Sequence, residues 1–162
     1  MDRDFLKKAQ ALIEGVPYFV ANLSNLSALI REELDRINWA GFYLMRDGAL
    51  VLGPFQGRPA CIRIETGKGV CGTAVKEDAV QCVDDVHLFP GHIACDEASR
   101  SELVIPIHAG GRIAGVLDID SPEYGRFDEK TRQDLEAIVL MMENEMETQF
   151  RRFVDGKDGF AI

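Results

Sequence analysis

Four cysteines lie at positions 61, 71, 82 and 95, and their roles decide what chemistry the chain performs. Cysteines of an intracellular protein serve as buried fillers, metal ligands or redox-active thiols. Their spacing lacks the close pairs typical of structural zinc sites, although His87 and His92 offer two further ligands near Cys95 and leave a metal site open as an alternative. Four cysteines also allow three disulfide pairings, and the spacing does not choose among them.

Cys95 is the candidate for a reactive thiol. It follows His87 and His92 in a polar, loop-like sequence, where a side chain is more accessible than on a buried strand. The thiolate is the reactive form, and a nearby histidine or a helix N-terminus increases its fraction. Cys82 lies between Val80 and Val83 on a predicted strand, so we interpret it as a buried core residue.

Three carboxylates form a second candidate group. Glu102 begins the first strand of a predicted hairpin, and Asp118 and Asp120 end its second strand. Residues two apart on a strand project to the same face, and an antiparallel hairpin returns its end to its beginning. The three side chains are therefore either a solvated strand end or, because their neighbours are apolar, a cluster that shares protons or binds a cation.

Trp39, Gly41 and Tyr43 alternate along another predicted strand and share one of its faces. A row of this kind is most typical of core packing. His108 lies beside the predicted hairpin turn, where we expect an exposed side chain.

Composition limits the class of protein. The chain has 162 residues, a length typical of one domain, and 46% of them are hydrophobic, enough for a substantial core. Its net charge of −9 disfavours binding to nucleic acids and anionic membranes. No apolar stretch approaches the roughly 20 residues of a membrane-spanning helix, and Met1–Asp4 does not begin a signal peptide. We therefore expect a cytoplasmic protein without a permanent disulfide framework.

The order of predicted elements indicates an α+β domain that spans residues 1–162. N-terminal helices cover about residues 3–35, the sheet and its loops about 37–121, and a C-terminal helix about 128–152. Within the middle part we predict strands at Ile37–Met45, Ala49–Phe55, Cys61–Glu65, Val80–Val83, Leu103–His108 and Arg112–Asp120, and one helical turn at Cys71–Lys76. Much of the segment from Thr66 to Arg100 is predicted as loop, longer than a compact domain normally carries without a functional reason.

Several short motifs occur in a fixed order along the chain: Gly53–Cys61, Gly69–Ala74, Asp85–His87, Gly91–Asp96, Ser101–Glu102 and Gly115–Ser121. Together they resemble the free methionine-(R)-sulfoxide reductases, which are small enzymes with a GAF fold. The resemblance implies a single GAF-like domain. Its central antiparallel sheet would carry the N-terminal and C-terminal helices on one face and a long functional loop.

The resemblance also implies roles for individual residues. Cys95 would be the catalytic cysteine, Cys61 the main resolving cysteine and Cys71 a further partner in disulfide exchange. The substrate pocket would be lined by Trp39, Tyr43, Glu102, Asp118 and Asp120. Cys82 has no counterpart in the family pattern. The implied protein uses no bound cofactor and no metal, forms a homodimer, takes electrons from thioredoxin and repairs oxidative damage.

The residues agree with this chemistry. Attack of a thiolate on a sulfoxide sulfur releases methionine and leaves a cysteine sulfenic acid, which a second thiol converts to a disulfide. An anionic cluster attracts the α-ammonium group that distinguishes free methionine from a peptide residue. The alternative is a non-catalytic GAF-type module that senses a small molecule or redox state, because a fold does not fix a function.

Overall fold

The computed structural model describes residues 4–93 and 95–157. The strands are β1 (Trp39–Arg46), β2 (Ala49–Gln56), β3 (Arg63–Glu65), β4 (Gln81–Val83), β5 (Ser101–Ala109) and β6 (Arg112–Ser121). The helices are α1 (Phe5–Ile13), α2 (Phe19–Glu33), α3 (Gly69–Glu77), α4 (Glu129–Glu145) and α5 (Glu147–Val154), and a short 3-10 helix covers Val86–Leu88. Residue 3, at the predicted start of the first helix, Ala94 of the quoted motif and residues 158–162 lie outside the described residues.

The strands form one antiparallel sheet in the order β3-β2-β1-β6-β5-β4. The hairpin β5–β6 places Glu102 opposite Asp120 and Val104 opposite Asp118. On the other side of β6, Trp39 of β1 pairs with Asp120 and Gly41 pairs with Asp118. The three central strands therefore bring the aromatic row and the carboxylates to the same part of the sheet.

The helices α1, α2, α4 and α5 cover one face of the sheet, as the resemblance implied. Alternation along the strands directs apolar side chains to this face, because successive residues of a strand point to opposite sides. Its fully buried members include Leu23, Leu26, Ile30, Phe42, Leu103, Ile107, Leu117, Ile119, Leu135 and Phe150. We call this surface the helix face.

The opposite face carries α3, β3 and the connecting loops, and we call it the site face. A second, smaller cluster of buried residues lies here, and it includes Trp39, Tyr43, Leu50, Ile64, Val70, Cys71, Val104 and Val116. The helix α3 extends over nine residues, longer than the single turn predicted for Cys71–Lys76. The fold is thus α+β, with the larger core under the helices and a smaller buried cluster on the site face.

The C-terminal helix differs from the prediction of one helix over 128–152. Asp128 caps α4, its side chain accepting a hydrogen bond from the backbone N–H of Thr131. The helix then breaks at Met146, whose backbone angles (φ −119°, ψ 14°) are not helical, and α5 continues in a new direction. The buried Met146 side chain occupies the bend. None of the helices in the described part of the chain is long and apolar enough to span a membrane.

The prediction that Cys82 is buried is wrong. Cys82 is exposed rather than buried, because β4 is an edge strand with a neighbour only in β5. Its sulfur lies 3.5 Å from the carbonyl oxygen of Phe127. The side chain of His108 is 42% exposed, as expected beside the hairpin turn, and its ring bridges Asp78 at 2.6 Å and Glu143 at 3.0 Å.

Candidate active site

A disulfide joins Cys61 to Cys95. Cys61 lies in the segment between β2 and β3, and Cys95 lies in the loop that leads to β5, so the bond ties together two segments that are 34 residues apart in sequence. Their Cα atoms are 5.6 Å apart, within the usual range for a disulfide. Both residues are half-buried at the rim of the site face. These are the two cysteines to which the resemblance assigned the catalytic and main resolving roles.

Cys71 is a free thiol in the first turn of α3 and is almost completely buried. Its sulfur lies 3.8 Å from a carboxyl oxygen of Glu102. Burial raises the pKa of Cys71 well above its usual value, and the charges of Asp118 and Glu102 raise it further. Cys71 is therefore a protonated thiol that faces the carboxylates.

The three carboxylates predicted to converge do so. Glu102 and Asp118 are only 7% and 5% exposed, so the interpretation as a solvated strand end is wrong for both. Asp120 is half-buried and lies opposite Glu102 in the strand register. The cluster is anchored on β5 and β6, whose strands pair without interruption from Ser101 opposite Ser121 to Ile107 opposite Gly115. We call Glu102, Asp118 and Asp120 the acidic cluster.

Desolvation controls the charge of the acidic cluster. It raises the pKa of Asp118 to about 6. Desolvation together with repulsion from Asp118 raises the pKa values of Glu102 and Asp120 well above their usual range. Asp118 is therefore the first of the three to ionise as pH rises, and Glu102 holds its proton more strongly than an ordinary carboxyl group. The Oδ1 atom of Asp118 is buried and has no hydrogen-bond partner within the described ranges. A buried acceptor in this state is suited to an incoming donor.

An aromatic wall lies beside the acidic cluster, because Trp39 pairs with Asp120 across β1 and β6. The ring of Trp39 stacks between Tyr43, at 5.9 Å, and Phe55, at 5.0 Å between ring centroids. Trp39 donates its indole N–H to the carbonyl oxygen of Arg58, and the Tyr43 hydroxyl donates to that of Cys61. A side chain at Gly41 would come within 2.3 Å of Phe55, so the absence of a side chain there permits the stacking.

Hydrogen bonds also fix the loop that carries Cys95. Asn38, just before β1, donates to the Asp96 carboxylate and to the Ser99 hydroxyl, both at 3.1 Å. Sequence reasoning missed Asn38, Asp96 and Ser99, as well as Phe55. Their contacts join residues that are far apart in the chain, so no local spacing indicates them.

These groups line a single cavity on the site face. It contains the predicted residues Trp39, Tyr43, Cys71, Cys95, Glu102, Asp118 and Asp120, together with Lys68, His92, Ile93, Asp96 and Ser99. Cys61 itself does not line the cavity, but the two residues before it, Pro59 and Ala60, do. The structure thus brings every sequence-predicted site residue to this cavity or to its rim.

The alternative metal site built from Cys95 and two histidines does not form in this state. Cys95 is bonded to Cys61, and the His87 ring pairs with Asp85 at 3.0 Å. Within residues 4–93 and 95–157, the potential metal ligands that come together are instead Cys71, Glu102 and Asp118, whose ligand atoms lie within 4.8 Å of one another. This group is part of the acidic cavity rather than a separate centre.

Comparisons with known proteins agree with this geometry. Residues 20–141 match the family described as the GAF domain. The chain is 51% identical over 154 residues to the free methionine-R-sulfoxide reductase of Escherichia coli (strain K12), an alignment that covers 94% of this chain and 91% of that protein. It is 44% identical to the free methionine-R-sulfoxide reductase of Saccharomyces cerevisiae, covering 82% and 78% of the two chains. A structure of fRMsr of Staphylococcus aureus in complex with substrate has a TM-score of 0.84 and 54% identity, covering 88% of this chain and 93% of that one.

The similarity extends over nearly the whole chain and includes the segments that carry the disulfide, the acidic cluster and the aromatic wall. Two of these relatives and one solved structure are named free methionine-R-sulfoxide reductases, and another solved structure is named fRMsr. The chain therefore belongs to the GAF-fold family of free methionine-R-sulfoxide reductases.

Proposed function

We propose that this protein reduces free L-methionine-(R)-sulfoxide to L-methionine, with Cys95 as the nucleophile and Cys61 as the resolving thiol. The observation that carries the proposal is the disulfide between these cysteines at the rim of a cavity lined by buried carboxylates and stacked aromatic rings. A disulfide is the product expected after one thiol has been oxidised by substrate and a second has condensed with it.

The acidic cluster supplies a site for the substrate's α-ammonium group. Asp118 is the member that ionises first, and its Oδ1 atom is an unused buried acceptor. Attraction between an ammonium group and a carboxylate is strong where water is excluded. The aromatic wall of Trp39 and Tyr43 contacts the methyl group and the sulfur, whose partial positive charge is attracted to an aromatic face.

The atoms and electrons of the proposed reaction balance with two cysteine thiols and the sulfoxide. The Cys95 thiolate attacks the sulfoxide sulfur, the sulfoxide oxygen is protonated and transferred to Cys95, and methionine leaves with a sulfenic acid remaining on the enzyme. The Cys61 thiol then displaces the hydroxyl of the sulfenic acid as water, and the disulfide forms. One sulfoxide and two thiols thus give one methionine, one disulfide and one water.

Glu102 is the proposed proton donor. Desolvation and repulsion from Asp118 raise the pKa of Glu102 well above its usual value, which favours the protonated form that a donor needs, and Glu102 lines the same cavity as Cys95. The same protonation reduces the negative charge that would oppose ionisation of Cys95. Binding of the substrate's ammonium group neutralises Asp118 and reduces that charge further.

The cavity of the disulfide form is small, as expected for the step of the catalytic cycle after methionine has left. Its volume is about 40 Å³, whereas pockets for small molecules usually measure roughly 300–1,000 Å³. We infer that the disulfide form has released its product and that reduction of the disulfide widens the cavity for the next substrate.

Thioredoxin is the proposed reductant. A second depression, lined by Arg58, Pro59, Cys95, Asp96 and Glu97, gives access to Cys95 beside the substrate cavity. An external thiolate can therefore approach the disulfide without passing the acidic cluster. A thioredoxin-dependent cycle places the protein in the cytoplasm, where the reductant is kept reduced.

We also propose that the protein forms a homodimer. Tyr18, immediately before α2, Val20 in α2 and Leu140 in α4 are exposed apolar side chains. Light scattering combined with size-exclusion chromatography measures the mass directly. A mass near 36 kDa, twice that of one 18.0 kDa chain, is expected, and a mass of one chain contradicts the dimer.

The activity is tested with thioredoxin, thioredoxin reductase and NADPH. Oxidation of NADPH is expected with the free R form of methionine sulfoxide, and little with the S form or with a peptide that contains the sulfoxide. The matched control is Cys82→Ser, which removes a thiol outside the cavity and is expected to be fully active. Absence of turnover with retained binding of the R form would contradict catalysis and favour a sensor.

A further inference from the structure

Asn38 holds the turn of residues 95–99, which we call the Cys95 turn. Its side-chain amide donates to the Asp96 carboxylate and to the Ser99 hydroxyl, both at 3.1 Å. The Asp96 carboxylate also accepts the backbone N–H of Ala98 at 2.9 Å, and the N–H of Ser99 donates back to the carbonyl oxygen of Asp96 at 3.2 Å. Asn38 thus contacts the Cys95 turn at its second residue and at its last one.

Asn38 is itself fixed to the sheet. Its backbone N–H donates to the carbonyl oxygen of Asp120, near the end of β6, at 2.9 Å, and β1 begins at the next residue. The Oδ1 atom of Asn38 is buried and has no hydrogen-bond partner among residues 4–93 and 95–157. The amide places its NH2 group, the donor, toward Asp96, where an oxygen atom would be repelled by the carboxylate. The side chain therefore connects the sheet to the Cys95 turn through donated hydrogen bonds only.

The segment of the partner cysteine is tied to the same strand. The Tyr43 hydroxyl of β1 donates to the carbonyl oxygen of Cys61 at 2.9 Å, and the Trp39 indole N–H donates to that of Arg58 at 3.1 Å. The strand β1 pairs with β2 on one side and with β6 on the other, so it lies inside the sheet. One internal strand, with the residue that precedes it, therefore holds both segments that the disulfide joins.

We propose that Asn38 is a positioning residue for the resolving step, in which the Cys61 thiol attacks the sulfenic acid on Cys95. This inference rests on the proposed function. The step forms the S–S bond and breaks the S–O bond of the sulfenic acid, whose hydroxyl leaves as water with the proton of Cys61. Two groups that are already held close together react at a high effective concentration, because the chain does not have to be ordered at that moment. Asn38 holds the Cys95 side of this arrangement, and Trp39 and Tyr43 hold the Cys61 side.

A single-turnover experiment follows the two steps separately. Reduced protein is mixed with saturating free L-methionine-(R)-sulfoxide, methionine and disulfide are quantified over time, and the sulfenic acid is trapped with dimedone. For Asn38→Ala we expect methionine to form within about threefold of the parent rate. The disulfide should form roughly tenfold or more slowly, as for the loss of two hydrogen bonds, one of them to a charged group. Trapped sulfenic acid should accumulate on Cys95 in this variant and not in the parent, and equal rates of both steps in the two proteins would contradict the proposal.

Two variants of unchanged size distinguish hydrogen bonding from packing. Asn38→Asp keeps the shape of the side chain but places a second carboxylate against Asp96, so the resolving step should slow at least as much as in Asn38→Ala. Asn38→Asp/Asp96→Asn exchanges the donor and the acceptor, and its new amide can still accept the N–H of Ala98. We expect this double variant to return to within about threefold of the parent rate. If it stays as slow as Asn38→Asp, the hydrogen bond is not the cause and the proposal is wrong.

Asn22→Ala is the matched control. Asn22 is a buried asparagine of α2 whose side-chain amide also donates two hydrogen bonds, to the carbonyl oxygen of Val16 at 2.9 Å and to the Gln149 side chain at 3.2 Å. It does not line the cavity, so both steps should proceed at the parent rates. A resolving step as slow as that of Asn38→Ala would indicate a general loss of stability and would overturn the role of Asn38.

A thiol–disulfide equilibrium separates failure of this inference from failure of the proposed function. The protein is equilibrated with mixtures of reduced and oxidised glutathione, and the fraction of chains with a disulfide between Cys61 and Cys95 gives the effective concentration of the two thiols without any sulfoxide. We expect Asn38→Ala to lower this concentration by roughly tenfold and Asn22→Ala to leave it unchanged. If the unaltered protein forms no methionine, the proposed function is wrong, but the equilibrium still decides the role of Asn38. An unchanged effective concentration in Asn38→Ala would contradict that role.

Discussion

The two faces of the sheet use the same strands for opposite purposes. On β6, Leu117 and Ile119 point to the helix face and are fully buried among apolar side chains, whereas Asp118 between them is buried on the site face. Burial of apolar groups stabilises the fold, but burial of a carboxylate disfavours its charged form. The raised pKa values of the acidic cluster express this energetic cost. The helix face thus provides the stability that allows the site face to hold groups suited to binding and reaction.

The largest effect is expected from Cys95→Ser on the site face. Without the nucleophile no sulfenic acid forms, and turnover of methionine sulfoxide should fall to the uncatalysed background. The thioredoxin-coupled assay measures this, and circular dichroism checks that the reduced variant keeps the fold of the reduced parent. Substantial turnover by this variant would place the nucleophile elsewhere.

Asp118→Asn should weaken substrate binding and, at the same time, stabilise the folded protein. Loss of a buried charge partner for the ammonium group should raise KM by about 30-fold or more. The free protein should become more stable at pH 7, by up to about 3 kcal/mol, because the pKa shift from 3.8 to about 6 opposes ionisation of the buried carboxyl group. Denaturant titration measures the free energy of unfolding. A variant that is both less stable and unchanged in KM would contradict the contrast between the faces.

Leu117→Ala, one residue away on the helix face, should have the opposite effects: lower stability of the fold and unchanged substrate kinetics. Removal of a fully buried leucine side chain lowers the free energy of unfolding by about 3 kcal/mol. KM and kcat of the folded protein should remain close to those of the parent, since Leu117 points away from the cavity. A change in KM as large as that of Asp118→Asn would show that the two faces are not independent.

Acidification should change binding and stability in opposite senses. The pKa of Asp118 is raised to about 6 in the folded protein, so the folded state takes up a proton between about pH 7 and 5 more readily than the unfolded state. The free energy of unfolding of the free protein should therefore rise as pH falls through 6. KM should increase by up to about tenfold per pH unit below 6, because the protonated Asp118 no longer attracts the ammonium group. A KM independent of pH from 7 to 5 would exclude this role for Asp118.

The smallest effect is expected from Cys82→Ser. Cys82 is exposed on the edge strand β4 and contacts a backbone carbonyl rather than the other cysteines. Its replacement should leave kcat, KM and the disulfide pattern unchanged. Peptide mapping of the oxidised variant checks the pattern, and the appearance of a new pairing would assign Cys82 a role in thiol exchange.

The contrast between the faces was largely predictable where it depends on strand periodicity. Alternation in β6 and the closure of a hairpin are local features, and they correctly placed Asp118 and Asp120 on one side with Glu102 in reach. The exposure of Cys82 was not predictable in this way, because alternation does not reveal which strand lies at the edge of a sheet.

Features that depend on contacts between distant segments could not be predicted from the sequence. The break at Met146 occurs without proline or glycine, so no residue type marks it in the sequence, and the Met146 side chain is buried there. The hydrogen bonds of Asn38 to the loop of Cys95 join segments about 60 residues apart. Lys68 lies in a glycine-punctuated stretch without periodicity, so only the cavity itself reveals its proximity to the acidic cluster.

The most direct test of the account is a single turnover without reductant. The fully reduced protein is mixed with excess free L-methionine-(R)-sulfoxide, methionine is quantified, and the thiols are mapped by mass spectrometry. The account predicts one methionine per chain and a disulfide between Cys61 and Cys95, while Cys71 and Cys82 remain thiols. Absence of methionine, or one equivalent of methionine formed while Cys95 remains a free thiol, would contradict it.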